Sequence, residues 1–180
     1  LSQVLLKFAC PGLPDVYQGC EHWDLSLVDP DNRRPVKYDM LQQWLEELEQ
    51  DADSEEFLKG LWGERFSGRF KLWLTSRLFS LRKQYQEVFT EGQYIPLQAE
   101  GPLASNLLAF ARRNGNKWIV VAIPLHLAAM QESADVVDWQ DTRIFLPAEA
   151  PAQWRNLLGG ARGDIQKATI SIAEVTDTLP

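Results

Sequence analysis

Apolar residues recur at helical spacing through the first half of the chain and at every other position through most of the second. Val4, Leu5 and Phe8 share one face of residues Leu1 to Ala9, which predicts a helix stopped at Pro11-Gly12, since proline cannot continue a helix and glycine permits the turn. Pro14 to Gln18 then reads as a short strand, Asp15-Val16-Tyr17, ended by Gly19. From Glu21 to Pro35 the chain reads as a loop anchored by Trp23, Leu25, Leu27 and Val28. Met40, Leu41, Trp44, Leu45 and Leu48 predict a helix over Tyr38 to Gln50 with an acidic outer face. After an acidic link from Asp51, Ser54 is placed to cap a short helix from Glu55 to Leu61. Phe66, Phe70, Trp73, Leu74, Leu78 and Leu81 form one stripe of a longer helix, from about Arg65 to Gln84.

Beyond Gly92 the period changes to two. Tyr94 to Leu97, Asn106 to Ala111 and Lys117 to Ile123 read as strands, and the last two are joined through Asn114-Gly115, a strong hairpin signal. Thr142 to Leu146, Trp154 to Leu157 before a Gly159-Gly160 turn, and Ala168 to Ile172 supply further strands. Leu125 to Trp139 is either a long loop or a short crossing helix. The predicted fold class is α+β, with a mostly helical unit over residues 1–90 and an all-β antiparallel unit, of sandwich type, over 91–180. A helix, a tight turn, a strand and a polar loop make half of an α/β repeat, so the remaining strands of that sheet are expected upstream of Leu1.

Composition narrows the partners. A length of 180 residues with 45% hydrophobic content suits a folded protein with a real core. A net charge of -7 and the absence of a Lys/Arg block argue against nucleic acid. Seven tryptophans in an acidic chain keep carbohydrate open, because indole rings suit the flat faces of sugars as well as large cores. Cys10 and Cys20 are too few for a disulfide scaffold and read as reduced thiols of a cytoplasmic protein, and His22 and His126 lack a ligand pattern, so no metal or cofactor is expected. No apolar run approaches the ~20 residues of a membrane helix. Gly159-Gly160-Ala161-Arg162-Gly163 lacks the Lys-Ser/Thr of a phosphate loop.

The densest chemistry lies in Pro11-Gly12-Leu13-Pro14-Asp15-Val16-Tyr17-Gln18-Gly19 and its continuation through Glu21, Trp23-Asp24 and Asp29-Pro30-Asp31-Asn32-Arg33-Arg34-Pro35. Read from spacing, this is either a turn before a buried strand or a ligand site on a rigid element. The stretch resembles the segment around the eighth barrel strand of the α-amylase superfamily, in the version seen in maltooligosyl trehalose synthases. The Trp23-Asp24-Leu25-Ser26-Leu27-Val28-Asp29-Pro30-Asp31-Asn32-Arg33-Arg34-Pro35 run is the most specific part of the likeness. Weaker similarity continues through Gly68-Arg69-Phe70-Lys71-Leu72, Leu81-Arg82 and Leu108 to Arg113, while Cys20 stands where the family more often has threonine.

The resemblance implies the last strand and helices of a (β/α)8 barrel, followed by an antiparallel β-sandwich. It further implies an isomerase that converts the reducing-end α-1,4 bond of a maltooligosaccharide into an α,α-1,1 bond by intramolecular, retaining transglycosylation. The family's nucleophile, acid/base and stabilising aspartate lie on earlier barrel strands, so the resemblance implies no catalytic residue here, an inactive fragment and a missing N-terminal part as partner. Asp15, Tyr17, Gln18, Glu21, Trp23, Arg33 and Arg34 are the expected substrate-binding residues. Trp23 serves equally as a sugar platform or a loop anchor, and one of Arg33 and Arg34 suits a salt bridge that locks the loop. Lys71 reads as a solvated or loop-bracing charge. Two rival functions remain. A carbohydrate-binding module would grip maltooligosaccharide through Tyr94 or Trp118, and a domain that only braces a barrel would expose an apolar surface around Val4, Phe8 and Val16.

Overall fold

The amphipathic stripes of the first half meet in one helical core. A computed structural model describes residues 1–29, 33–50, 54–127 and 137–176, so the turn at 30–32, the acidic link at 51–53 and most of the ambiguous stretch after Leu127 lie outside the described residues. Helix α1 (Ser2–Ala9) buries Val4 and Phe8, one turn apart, and stops where Cys10 turns extended ahead of Pro11. Helix α2 (Tyr38–Gln50) buries Leu41 and Leu48. Helix α3 (Glu55–Gly63) starts at Ser54, whose hydroxyl accepts the Phe57 N–H at 3.1 Å, and buries Leu58 and Leu61. All three pack on α4 (Arg69–Gln84), which supplies Phe70, Leu72, Trp73, Leu74 and Leu78. Each of these large side chains contributes roughly 1.5–3 kcal/mol when fully withdrawn from water. Loss of the Ser54 cap is a smaller, local effect: Ser54→Ala is expected to cost about 1 kcal/mol, read as a lower urea midpoint of the helical circular dichroism.

Three expectations are corrected. The predicted helix from Arg65 is broken: Arg65–Ser67 forms a 3-10 turn and Gly68 adopts φ 95 before α4 begins. Phe66 therefore leaves the stripe and is 81% exposed. Asp15-Val16-Tyr17 forms no strand, because it pairs with no second chain segment among the described residues. Val4 and Phe8 are buried against α4 rather than exposed, and Val16 is half-buried on the same core. The exposed apolar side chains lie elsewhere, at Leu13, Leu25, Leu27, Val28 and Phe66.

A five-residue helix, α5 (Gln86–Thr90), leads into the strands, which form three small antiparallel sheets. Strands β1 (Gln93–Pro96), β3 (Leu107–Asn114) and β4 (Lys117–Pro124) pair in the order 1-3-4. The β3–β4 hairpin closes through Gly115-Asn116, with Asn114 opposite Lys117 and Gly115 at φ 57, the glycine-first arrangement that matches strand twist. Strands β2 (Ala99–Glu100), β5 (Arg143–Phe145) and β8 (Thr169–Ser171) pair in the order 2-5-8, and β6 (Gln153–Arg155) pairs with β7 (Arg162–Asp164). The short β2 and β7 carry too little periodicity to be read from sequence. A closing helical turn, Ile172–Val175, buries Ile172.

Two arginines hold the end of α1, and one of them ties it to the first sheet. Arg82 of α4 donates to the Phe8 carbonyl at 2.6 Å and to the Gly12 carbonyl at 2.9 Å, holding the end of α1 and the turn after it. Arg112 of β3, 2% exposed, donates to Phe89 O at 3.0 Å, Gly92 O at 2.8 Å and Ala9 O at 3.5 Å. Burial lowers the pKa of both guanidiniums, yet arginine's ordinary value is so far above neutrality that both stay charged. The charges sit on the carbonyl ends of α1 and α5, where a helix dipole favours a cation.

Candidate functional site

The loop after Tyr17 is rigid because three elements hold it. Cys20 N–H closes a turn onto the Tyr17 carbonyl at 2.9 Å, and Gly19, at φ 84, lies so close to Val36 that a Cβ would stand 3.0 Å from Val36 Cγ2. His22 Nδ1 is 2.8 Å from the Gly19 carbonyl, and its ring meets Trp44 of α2 edge to face. Trp23 donates its indole N–H to Arg65 O at 3.0 Å, and the Lys71 ammonium lies 5.1 Å from the centre of its ring. The same ammonium donates to the His22 carbonyl at 2.8 Å. Gly68 permits this approach, since a Cβ there would stand 3.3 Å from both His22 Cβ and Trp23 N. The break in the long helix is thus the seat of the loop.

Among the expected site residues, Asp15 and Tyr17 are exposed ahead of the turn and Gln18 is exposed within it, with Gln18 Oε1 accepting from the Tyr38 hydroxyl at 3.4 Å. Glu21 is half-buried, and its Oε2 is buried without a hydrogen-bond partner. Trp23 has the geometry of a loop anchor, with one ring face taken by Lys71. Arg33 forms a two-pronged ion pair with Asp29, 2.6 and 2.9 Å, while both side chains remain mostly exposed, so the pair orders the loop more than it stabilises the fold. Arg34 is exposed and engaged elsewhere. The structure thus gathers Tyr17, Gln18, Glu21 and Trp23 around one held loop, with Asp15 at its entrance.

The charged groups of the loop are set by their neighbours. Hydrogen bonds from the Ser26 hydroxyl and N–H, at 2.6 and 3.0 Å, hold the Asp24 carboxyl below its usual range. Burial, then the Asp24 charge, raises the Cys20 thiol, and burial lowers the Lys71 ammonium. No group of three or more His, Cys, Asp or Glu side chains among the described residues is arranged to hold a metal ion. Of the two readings of Lys71, a solvated or a loop-bracing charge, the structure shows the second; which segment it would reach depends on the break at Gly68.

Tyr94 and Trp118, the residues named for a separate glucan-binding face, are engaged within the fold. Tyr94 packs on Phe110 at 4.9 Å and Arg113 covers Trp118 at 4.7 Å. A cavity of about 480 Å³ lies between the helices and the later strands, with Trp73, Leu78, Trp118 and Trp154 among its walls. Its lining is mostly apolar.

No family model matches the chain. Two curated relatives from Mycobacterium tuberculosis, strains CDC 1551 / Oshkosh and ATCC 25618 / H37Rv, are named as maltooligosyl trehalose synthases and are 34% identical over 160 residues, 89% of this chain and 17% of their own length. Among solved structures, the maltooligosyltrehalose synthase of Arthrobacter ramosus is 29% identical, with a TM-score of 0.73 over 99% of this chain and 21% of that one. A further maltooligosyl trehalose synthase structure is 31% identical, with a TM-score of 0.64 over 97% of this chain and 20% of its own. The chain therefore spans about a fifth of the length of the proteins it matches.

Proposed function

Since the chain is homologous to a C-terminal segment of the maltooligosyl trehalose synthases, we propose that it forms the closing part of such an enzyme and one wall of its glycan pocket. In this reading residues 1–90 complete the catalytic barrel and residues 91–180 form the β-sandwich domain behind it. The parent enzyme converts the reducing-end α-1,4 bond of a maltooligosaccharide into an α,α-1,1 bond by retaining transglycosylation, with catalytic carboxylates outside this chain. Asp15, Tyr17, Gln18, Glu21, Trp23, Arg33 and Arg34 bind or shape the sugar site.

The observation that carries the proposal is the held loop: polar and aromatic groups at Tyr17, Gln18, Glu21 and Trp23 are mounted on a packed helical base. A saccharide needs hydroxyl partners fixed in advance, because every side chain ordered on binding weakens affinity. The exposed apolar side chains on the neighbouring stretches, Leu13, Leu25, Leu27 and Phe66, further support a covering polypeptide on that side.

The isolated chain is expected to leave maltopentaose unchanged, measured as no loss of reducing ends, and trehalosyl product from the chain alone would overturn the proposal. Co-expressed with the preceding polypeptide of a homologous synthase, the chain is expected to restore product formation. Asp15→Ala with Glu21→Ala is expected to restore about tenfold less or lower, the scale of one or two lost charge-assisted hydrogen bonds.

A further inference from the structure

The side chain that does most to hold the loop is one that contributes nothing to the core. Lys71 lies in the first turn of α4, half-buried, and makes no carboxylate ion pair among the described residues. A lysine on a helix ordinarily keeps its ammonium in water, while this one is held against a carbonyl and an indole at the cost of part of its hydration. Both tethers end on consecutive residues of one loop: the His22 carbonyl at 2.8 Å and the Trp23 ring at 5.1 Å. From the far edge, the Trp23 indole N–H is fixed by Arg65 O at 3.0 Å. Between these two grips Gly68 keeps the approach close: a Cβ there would stand 3.3 Å from His22 Cβ and Trp23 N.

We infer that Lys71 is a positioning residue for the carbohydrate site: it sets the orientation of Trp23 and, through the loop backbone, of Glu21. The inference rests on reading the loop as a glycan wall. Glu21 is the residue most sensitive to that hold, because its buried Oε2 has no hydrogen bond of its own to keep it in place. One side chain therefore acts on two candidate sugar contacts without facing the sugar itself. The requirement is for a cation of lysine's reach. A methionine keeps the apolar stem and loses both tethers, glutamine keeps a single neutral donor, and arginine keeps the charge.

The hold is testable without any sugar. In a Cys10→Ser background, Cys20 is the one thiol left, half-buried in the held loop, so a rise in its alkylation rate by iodoacetamide at high pH over that of the parent chain reports loosening of the loop. Lys71→Met is expected to raise that rate about tenfold, the equivalent of one lost hydrogen bond to a charged group. Lys71→Gln should be intermediate and Lys71→Arg close to the parent chain. The indole N–H resonance of Trp23, assigned by its disappearance in Trp23→Phe, should move in Lys71→Met, while those of the core residues Trp73 and Trp139 stay in place. Maltopentaose should bind Lys71→Met about tenfold more weakly than the parent chain. Parent-like alkylation and an unmoved Trp23 resonance in Lys71→Met would overturn the inference, and if that variant does not fold, the same readouts on Lys71→Gln decide. A parent chain that binds no maltopentaose would instead overturn the carbohydrate reading, while alkylation would still report on Lys71.

Discussion

Replacing Arg112 with methionine is expected to lower the stability of the chain by about 3 kcal/mol, because two or more charge-assisted hydrogen bonds of roughly 1.5–3 kcal/mol are lost and only part is regained by no longer burying a charge. For a chain of this size that corresponds to a fall of about 6–12 °C in Tm. The guanidinium is the one group that reaches the ends of α1, α5 and the start of β1 at once, through Ala9 O, Phe89 O and Gly92 O. Methionine fills much of the same space and leaves those carbonyls facing an apolar side chain. Arg112→Lys should recover less than half of the loss, since a single ammonium cannot span three segments. Its neighbour is the control. Arg113 is half-exposed and pairs with Glu149 at 3.0 Å near solvent, so Arg113→Met should change stability by no more than about 1 kcal/mol. Thermal melts of the three variants decide the matter, and an Arg112→Met chain as stable as Arg113→Met would show that the junction does not depend on the buried cation.

Arg112 also marks the limit of what the sequence discloses. Tyr38 to Gln50 was legible to the residue, and the hairpin around Gly115 was legible as a pair of strands, although the first reads as stopping at Ala111 and in fact runs on through Arg112 and Arg113 to Asn114. In sequence Arg112 stands among the residues leading to Asn-Gly, and nothing local distinguishes it from the solvated Arg113. Its burial follows from α1 and α5 ending over the sheet, more than a hundred and more than twenty residues away in the chain, respectively. The stripe from Phe66 to Leu81 misled for a related reason. Five of its six members do lie on α4, but Gly68 breaks the helix where the loop must approach, and a lone glycine inside a helical pattern is ambiguous until that neighbour is known.

The sequence offers the candidate site as a list of residues, and only the structure shows how they are arranged. The resemblance pointed to Tyr17, Gln18, Glu21 and Trp23, and the structure places all four about one loop. Asp15-Val16-Tyr17 joins no sheet among the described residues, because pairing depends on a second segment that the local pattern cannot supply. The buried status of Val4 and Phe8 was missed because a helix read alone shows an apolar face and not what covers it; here α4 covers it.

Gly101→Ala is expected to cost about 4 kcal/mol, and Gly12→Ala about 1–2 kcal/mol, although the two glycines have nearly the same φ, 117 and 119. Both lie in a region that L side chains avoid, so each substitution carries the backbone strain. They differ in what a Cβ would meet. At Gly12 there is nothing within 4 Å, whereas at Gly101 the new carbon would stand 2.6 Å from Thr142 Cα and 3.0 Å from Thr142 N, which are backbone atoms without a rotamer to yield. Thr142 is itself fixed: it is fully buried, its hydroxyl accepts the Leu103 N–H at 3.2 Å and its carbonyl accepts the Ile172 N–H at 3.0 Å. Relief must therefore come from parting β2 from β5, which are paired through Ala99 with Ile144 and Glu100 with Arg143, and from loosening the closing turn at Ile172. The difference between the two variants in urea melts isolates the close approach from the φ cost that they share. Equal losses would mean that strain alone acts at Gly101 and that Thr142 has room to move.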